Sequence, residues 1–277
     1  MEKELENKIK KIYSIFNGKK VVVAFSGGVD STIIAFLAKK SAKKVICCTF
    51  YNPIFLKEDL IIAKKMAKEI DIDHKIIEVN NFPEVLFQKN PRNRCYICKK
   101  TLMKHLIAFK NKSGFDIIVD GTNLDDLKEY RPGITALKEL NIMSPFILEK
   151  ITKKEIRKIG NFFKISNYNS PNTTCLLSRI PYNEEITIEK LEMIKKSEDF
   201  LKRMLKTDVV RVRHYELSNK IYLARIELEK EKIIELFEGP ELDIQKIINE
   251  LKKLGYTYLT IDLEGYRSGS MDQNAMG

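Results

Sequence analysis

Two sets of residues in this chain could do chemistry: the run Ser26-Gly27-Gly28-Val29-Asp30-Ser31, and three cysteines in polar surroundings, Cys95, Cys98 and Cys175. Paired glycines let the backbone adopt conformations, and approach a ligand, in ways a Cβ forbids, so several N–H groups can converge on an anion ahead of a helix N-terminus. The ligand of such a loop is a phosphate. Ser26 and Ser31 add hydroxyl donors, whereas Asp30 is out of place beside phosphate unless a Mg²⁺ ion lies between the two. Cys95 and Cys98 form a C-x-x-C within the arginine-rich stretch Asn90 to Lys100. That spacing serves a shared metal, a redox disulfide, or neither. Cys175 lies in a second polar loop, Ser170 to Pro181. Three loop thiols suit an iron–sulfur cluster with one iron free of protein ligands. A structural zinc site needs a fourth ligand, and three histidines in the whole chain leave little choice. Cys47 and Cys48 are different, because adjacent residues of a strand face opposite sides and cannot easily share a metal; they read as core.

The elements that position these residues follow from periodicity. Residues 3–16 form an amphipathic helix with Leu5, Ile9 and Ile12 on one side. The β-branched run Val21 to Phe25 is a strand feeding the glycine loop, and Ser31 to Ala38 is helical. Further strands are expected over 43–50, 74–79, 115–120 and 141–146, with a helix over 57–70. Strands alternating with helices imply an α/β domain with a parallel sheet, whose ligands bind beyond the carboxyl ends of the strands, where the glycine loop lies. The stretch Gly121 to Gly133 follows strand four. Its acids, Asp125 and Asp126, can hold Mg²⁺ or cap a helix, and Arg131 can pair with phosphate or carboxylate. Thr152-Lys153-Lys154-Glu155 is a capping box that opens a helix to about residue 163.

After Pro181 the texture changes. A helix over 187–205, a hairpin of 209–215 with 221–228, helices over 230–237 and 241–254, and a strand over 258–263 predict a smaller α+β domain. The expected division is therefore 1–181 and 182–277. Arg211 and Arg213 share one strand face and His214 takes the other. Two neighbouring arginines make an anion site or simply a solvent-facing strand.

Composition narrows the class. The chain has 277 residues, 44% hydrophobic and 31% charged, with a net charge of +11. No apolar run reaches membrane-spanning length, and Met1 to Glu6 is no signal peptide, so a cytoplasmic protein is expected. Five cysteines without an export signal argue against structural disulfides. The positive charge attracts phosphate-rich partners, including nucleotides and RNA. Its lysines are scattered over nearly every helix, with no basic block interleaved with aromatics as a nucleic-acid platform would require.

The pattern S-G-G-V-D-S resembles the PP-loop signature of the ATP pyrophosphatase superfamily and is not a Walker A loop. A longer series of motifs is similar to the LarE family of ATP-dependent sulfur transferases: NPRNRCYICK (Asn90 to Lys99), GTNLDDLKEYRPG (Gly121 to Gly133), SPFILEKITKKEIR (Ser144 to Arg157), CLLSRIPY (Cys175 to Tyr182), RVRHY (Arg211 to Tyr215), ARIE (Ala224 to Glu227) and GYRSGSM (Gly265 to Met271). The resemblance implies a PP-loop ATP pyrophosphatase domain followed by a domain for substrate binding and oligomerisation. It also implies a chemistry. The carboxylates of a pyridinium dicarboxylate mononucleotide are adenylated by ATP, and sulfur then replaces AMP, in biosynthesis of a nickel-pincer cofactor. Family members with one cysteine at the position of Cys175 give up its sulfur. The trio Cys95, Cys98 and Cys175 resembles members that hold a [4Fe-4S] cluster whose open iron carries sulfide. The same resemblance places ATP at Ala24, Phe25, Ser26, Gly27, Gly28, Asp30, Ser31, Gly121 and Asp125, with Mg²⁺ on Asp30. It places the substrate phosphate at Ser178, Arg179, Arg211 and Arg213, with Glu198 and Glu227 in the same cleft. A sulfide or other sulfur donor and a homo-oligomer are implied as partners. Iron–sulfur-dependent tRNA thiolation is the alternative enzyme, and a non-catalytic iron–sulfur or nucleotide sensor the alternative class.

Overall fold

The computed structural model describes residues 2–52, 57–80, 82–129, 131–170, 175–239, 241–267 and 269–271. Contacts divide the chain into two units, 1–82 with 93–173 and 83–92 with 174–277. Residues 83–92 and 174–181, placed in the first domain on sequence texture, thus group with the second unit. Backbone bonds from Asn183 N–H to the Asn90 carbonyl (3.0 Å) and from Ile186 N–H to the Phe87 carbonyl (2.8 Å) tie them there.

The first unit is an α/β layer structure. Its strands β1 (Lys20–Ala24), β2 (Lys44–Tyr51), β3 (Asp73–Glu78) and β4 (Ile117–Val119) form one parallel sheet in the order β3-β2-β1-β4. Strand β1 is central, and Val21, Val22 and Val23 are all fully buried, as a strand covered on both faces requires. Val21, Val23 and Cys47 pack on one face with the helices Lys3–Phe16, Val29–Ser41 and Lys153–Phe162; Val22 and Cys48 pack on the other with Met103 and Leu106 of the helix Arg94–Ser113. The two cysteines therefore lie on opposite faces, as their adjacency predicts. Burial pushes both thiols up, Cys48 to about 12, so neither supplies a thiolate near neutral pH.

The capping box forms: Thr152 Oγ1 accepts the Glu155 N–H at 3.3 Å and Glu155 Oε2 accepts the Thr152 N–H at 2.8 Å. The fifth strand does not. Residue Met143 makes a single parallel bridge to Val119, and Pro145 then opens the short helix Pro145–Leu148. Proline has no N–H to offer a neighbouring strand and its fixed φ suits a first helical turn, so the apolar run 142–147 folds back as helix instead of extending the sheet.

In the second unit β5 (Val210–Ser218) pairs antiparallel with β6 (Ile221–Leu228), and β6 pairs parallel with β7 (Tyr258–Ile261). Val210, Val212, Ala224 and Leu228 meet Leu201 and Leu251 from the helices Ile188–Leu205 and Glu241–Lys253. His214 shares that core face. Its ring lies 4.8 Å from the Tyr222 ring and its Nδ1 is 3.3 Å from the Tyr256 hydroxyl. Burial, reinforced by nearby Lys190 and opposed by Glu216, depresses His214 to about 4 from an ordinary 6.5. Between those values the unfolded chain binds a proton that the folded chain refuses, so stability rises with pH across that window. The contribution is fully present above pH 6.5 and lost as pH falls through about 4, roughly 3 kcal/mol in total. Urea midpoints at pH 7.5, 5.5 and 4.5 are expected to show a shallower decline for His214→Phe than for the unaltered protein. Equal slopes would exclude His214 as the source.

Candidate active site

At the carboxyl end of β1 the chain turns through Phe25 to Gly28, and Gly28 is the N-cap of the helix Val29–Ser41. The turn is braced from inside by hydroxyls. Ser31 Oγ donates to the Gly28 carbonyl (3.1 Å) and accepts the Ser26 N–H (3.3 Å), while Ser26 Oγ, 3.1 Å from Ser31 Oγ, accepts the Gly28 N–H (3.3 Å). It is braced from behind through its carbonyls. Thr49 Oγ1 donates to the Phe25 carbonyl (2.7 Å), which leaves His74 Nε2, 2.8 Å from that hydroxyl, as the donor to it. Asn167 Nδ2 donates to the Gly27 carbonyl at 2.8 Å. The loop thus holds its shape ahead of the helix Val29–Ser41, whose first-turn N–H groups lack intrahelical partners. Gly27 has φ +75°, and a Cβ there would stand 2.6 Å from Ala63 Cα on the helix Lys57–Glu69.

The loop after β4 closes on the same place. A Cβ on Gly121 would meet the Asp30 carbonyl carbon and the Ser31 nitrogen, each at 2.8 Å, so only glycine lets the two segments touch. Asp30 accepts from Lys153 Nζ through both oxygens at 2.7 Å and faces Asn123 Nδ2 at 3.5 Å. Asp125 takes the capping role: it accepts the Lys153 N–H (2.9 Å) and pairs with Lys128 (2.8 Å), and Lys128 and that N–H hold its carboxyl below the usual range. Asp126 is buried, pairs with Arg131 at 2.9 Å, and is pushed up by desolvation. Arg131 is thereby engaged by Asp126 and Glu129.

The C-x-x-C turn belongs to this end of the sheet. Cys95 and Cys98 occupy the first turn of the helix Arg94–Ser113. Next to Cys98, Lys99 Nζ stands 3.8 Å from Asp120, the buried residue before Gly121, which also accepts from Ser144 Oγ (2.6 Å) and from Thr122 Oγ1. Gly133 meets the same turn: a Cβ there would lie 3.5 Å from the Cys95 carbonyl oxygen and from Lys99 Cβ.

In the second unit, Cys175 is exposed and is the N-cap of a short 3₁₀ turn, Leu176–Arg179. Its carbonyl accepts from Ser178 Oγ (2.7 Å) and Arg179 Nη1 (3.1 Å). Arg179 also makes a two-pronged pair with Glu198, Nε to Oε1 at 2.7 Å and Nη2 to Oε2 at 3.0 Å. Glu198 Oε1 accepts the Val212 N–H at 3.0 Å. Arg213 donates to Glu227 (2.6 Å) and to the Ser178 carbonyl (3.2 Å). Arg211 lies with its guanidinium 5.0 Å from the Tyr266 ring centre, and burial, with Arg179 close by, pulls its pKa down. Ser178, Arg179, Arg211 and Arg213 therefore share one cluster with Glu198 and Glu227. The solvent-facing alternative for the two strand arginines does not hold, because both are buried.

Among the described residues no group of three or more His, Cys, Asp and Glu side chains gathers as a metal site, and no disulfide joins the cysteines. Parts of the motifs, Tyr130, Pro171 to Thr174 and Ser268, lie outside the described residues. Donor chemistry nevertheless fits the implied groups. Asp30 is a hard carboxylate beside the loop, suited to Mg²⁺. Cys95 and Cys175 are exposed and Cys98 half-buried, as accessible soft ligands for iron should be. Sequence reasoning assigned no site role to Lys153, Asn123, Thr49 or Asn167. Lys153 was legible only as the first residue of a capped helix. The other three are single polar residues whose partners lie far away in sequence.

The residues 20–105 match the family described as Queuosine biosynthesis protein QueC. Over its full length the chain is similar to protein slr1717 of Synechocystis sp., 36% identical over 97% of this chain and 98% of the relative. It is similar to protein MJ0830 of Methanocaldococcus jannaschii, 37% identical over 91% and 93%. It is also 28% identical to the pyridinium-3,5-bisthiocarboxylic acid mononucleotide synthase of Lactiplantibacillus plantarum, over 92% of this chain and 89% of that one. No described helix is long and apolar enough to cross a membrane. With a QueC-like glycine loop on a four-stranded parallel sheet, and full-length identity above a third to two relatives, the chain belongs to the PP-loop family that contains slr1717 and MJ0830.

Proposed function

We propose that this protein is an ATP-dependent sulfur transferase that adenylates a carboxylate of a pyridinium dicarboxylate mononucleotide and replaces AMP with sulfur. The observation that carries the reading is the meeting, within the first unit, of the phosphate-type loop with the C-x-x-C turn. Gly121 lies on the Asp30–Ser31 backbone, and its neighbour Asp120 faces the lysine that follows Cys98. Full-length similarity to a synthase of a bisthiocarboxylic acid mononucleotide supports the substrate class.

A carboxylate oxygen is a poor leaving group. Transfer of AMP from ATP makes it a good one, with pyrophosphate departing against the donors of the loop. Ser26, Gly27, Gly28 and Ser31 bind the pyrophosphate, and Asp30 would hold Mg²⁺, whose positive charge would offset the negative charge of the phosphates. Lys153, which donates to both Asp30 oxygens, would be free to pair with the phosphates if Asp30 held Mg²⁺. Ala24, Phe25, Gly121 and Asp125 shape the nucleotide site. Ser178, Arg179, Arg211 and Arg213 receive the substrate phosphate. Cys95, Cys98 and Cys175 hold a [4Fe-4S] cluster, which supplies sulfide as the nucleophile. The division of labour gives adenylation to the first unit, 1–82 with 93–173, and substrate binding and self-association to the second, 83–92 with 174–277, in place of the expected 1–181 and 182–277.

Iron and acid-labile sulfide, measured with the visible spectrum on anaerobically purified protein, test the cysteine assignment. About four irons per chain are expected, and loss of the cluster in Cys95→Ala, Cys98→Ala and Cys175→Ala alike. A colourless protein that keeps full activity without Cys95 or Cys98 would instead make Cys175 a sacrificial sulfur donor.

A further inference from the structure

The arginine cluster of the second unit contains a further member, Arg225, which the motif ARIE includes without a role being assigned to it. Register places Arg213 of β5 directly opposite Arg225 of β6. Like charges opposed across an antiparallel pair repel, since their Cβ atoms stand about 5 Å apart. The nearest compensation is Glu227, which both arginines share: Arg213 Nη2 reaches Oε2 at 2.6 Å and Arg225 Nη2 reaches Oε1 at 3.1 Å. Ser270 Oγ donates to the same Oε1 at 2.8 Å, so that oxygen is already doubly used. Asp262 stays 3.8 Å from Arg225 Nη1, beyond hydrogen-bond distance.

Two further features mark the pair as incomplete. Arg213 Nε and Arg225 Nε are both buried without a hydrogen-bond acceptor. A buried charged donor with no acceptor is costly, and natural proteins keep few of them. The second feature is Met271. Its sulfur, a weak acceptor, takes both Arg225 Nη2 at 3.5 Å and the Tyr215 hydroxyl at 3.6 Å. Strong donors are thus aimed at a soft atom that an oxyanion would replace.

We propose that Arg225 is an anion-binding residue, and that Arg213 and Arg225 together receive a phosphate monoester on their Nε edges, displacing the Met271 sulfur. The proposal rests on the reading of this cluster as the substrate-phosphate site and moves its centre. Arg179, matched by Glu198 and bound to the Cys175 carbonyl, holds the cysteine turn; Arg213 and Arg225 take the phosphate. A phosphate presents three oxygens to two guanidinium edges and neutralises the opposed pair, which a halide or a single carboxylate does less completely. Tyr215, whose ring carries the Arg225 guanidinium at 5.6 Å, keeps that edge oriented.

The test is ¹H–¹⁵N NMR of arginine Nε–H groups in the full chain titrated with inorganic phosphate, with chloride at equal ionic strength as the reference. Signals missing in Arg213→Lys and Arg225→Lys assign the two groups. Both are expected to shift downfield and exchange more slowly with phosphate and not with chloride. Arg225→Gln, which removes the guanidinium charge and keeps a polar side chain, is expected to unfold cooperatively and to bind phosphate at least tenfold more weakly. Met271→Ala is expected to bind at least as tightly as the unaltered chain. Equal responses to phosphate and chloride, shifts confined to other arginines, unchanged affinity in Arg225→Gln, or weaker binding by Met271→Ala would each overturn the assignment. The readout is independent of sulfur transfer. Phosphate binding without any thiolation condemns the proposed reaction alone, whereas thiolation with an unchanged KM for the mononucleotide in Arg225→Gln condemns this site alone.

Discussion

Cys175→Ser is expected to abolish the proposed sulfur transfer, with a loss of more than ~10³-fold or about 4 kcal/mol in the barrier, while ATP–pyrophosphate exchange stays within a few-fold. The reason lies in what the substitution leaves alone. Cys175 is held through its carbonyl, which accepts from Ser178 Oγ and Arg179 Nη1, its side chain is exposed, and serine differs from cysteine by one atom. The turn Leu176–Arg179 and the Arg179–Glu198 pair therefore survive. Serine oxygen is a hard, protonated group at neutral pH; it neither ligates iron as thiolate does nor carries a transferable sulfur. On the proposed reading adenylation uses the glycine loop and the substrate-binding arginines but not this thiol, so it is expected to be spared. Thiocarboxylate product followed by mass spectrometry, beside isotope exchange between pyrophosphate and ATP, separates the two half-reactions. Full product formation by Cys175→Ser would remove this cysteine from the chemistry.

Gly27→Ala is the second large effect, and two other glycines make it readable. Gly18, Gly27 and Gly114 all have φ near +70°, so alanine at any of them carries the left-handed strain, about 1 kcal/mol or slightly more. At Gly18 and Gly114 a new Cβ meets nothing within 4 Å. At Gly27 it overlaps Ala63 Cα at 2.6 Å and Ala63 N at 2.7 Å, main-chain atoms of a helix that cannot swing aside as a side chain would. Either the helix Lys57–Glu69 retreats or the loop gives up its conformation. Gly18→Ala and Gly114→Ala are expected to unfold slightly earlier with unchanged AMP formation. Gly27→Ala is expected to be destabilised by roughly 3 kcal/mol and to form AMP at least ~100-fold more slowly. Denaturant midpoints and AMP release on the three variants settle the matter; comparable behaviour at all three positions would mean that the contact with Ala63 is of no consequence.

Much of the architecture was legible because it is written locally. The strand, glycine loop and helix around Val21 to Ala38 combine a β-branched run, paired glycines and a helical apolar pattern, and the parallel sheet follows from their alternation with later elements. The capping box at Thr152 is a four-residue signal and formed as expected. What misled was an apolar run without a decisive period: Asn141 to Phe146 suits strand or helix, and Pro145 settled it toward helix. Of the site, the glycine loop could be foreseen from types and spacing, whereas the gathering of Arg179 with Arg211 and Arg213 was implied only by the resemblance. Lys153 on Asp30, Asn167 on Gly27 and Thr49 with His74 on Phe25 could not, because each joins residues from distant elements through one polar atom. The fate of Arg211 and Arg213 was also hidden. Alternation put them on one face, but only the neighbouring elements decide whether that face meets water or, as here, is buried.

Residues 83–92 belong to the second unit although the chain returns to the first for the next eighty residues. This has a consequence for how the molecule is made. A ribosome releases Leu86, which ends up almost wholly buried, on the order of ten seconds before it releases 174–277, the rest of that unit. During that interval the segment around Leu86 and Phe87 is an apolar guest without its partners, in reach of chaperones and proteases. A gene cut after residue 173 leaves it in that condition permanently, and one begun at 174 lacks the carbonyls of Phe87 and Asn90 that Ile186 and Asn183 bind. The second unit is thus an object that translation must assemble from two deliveries.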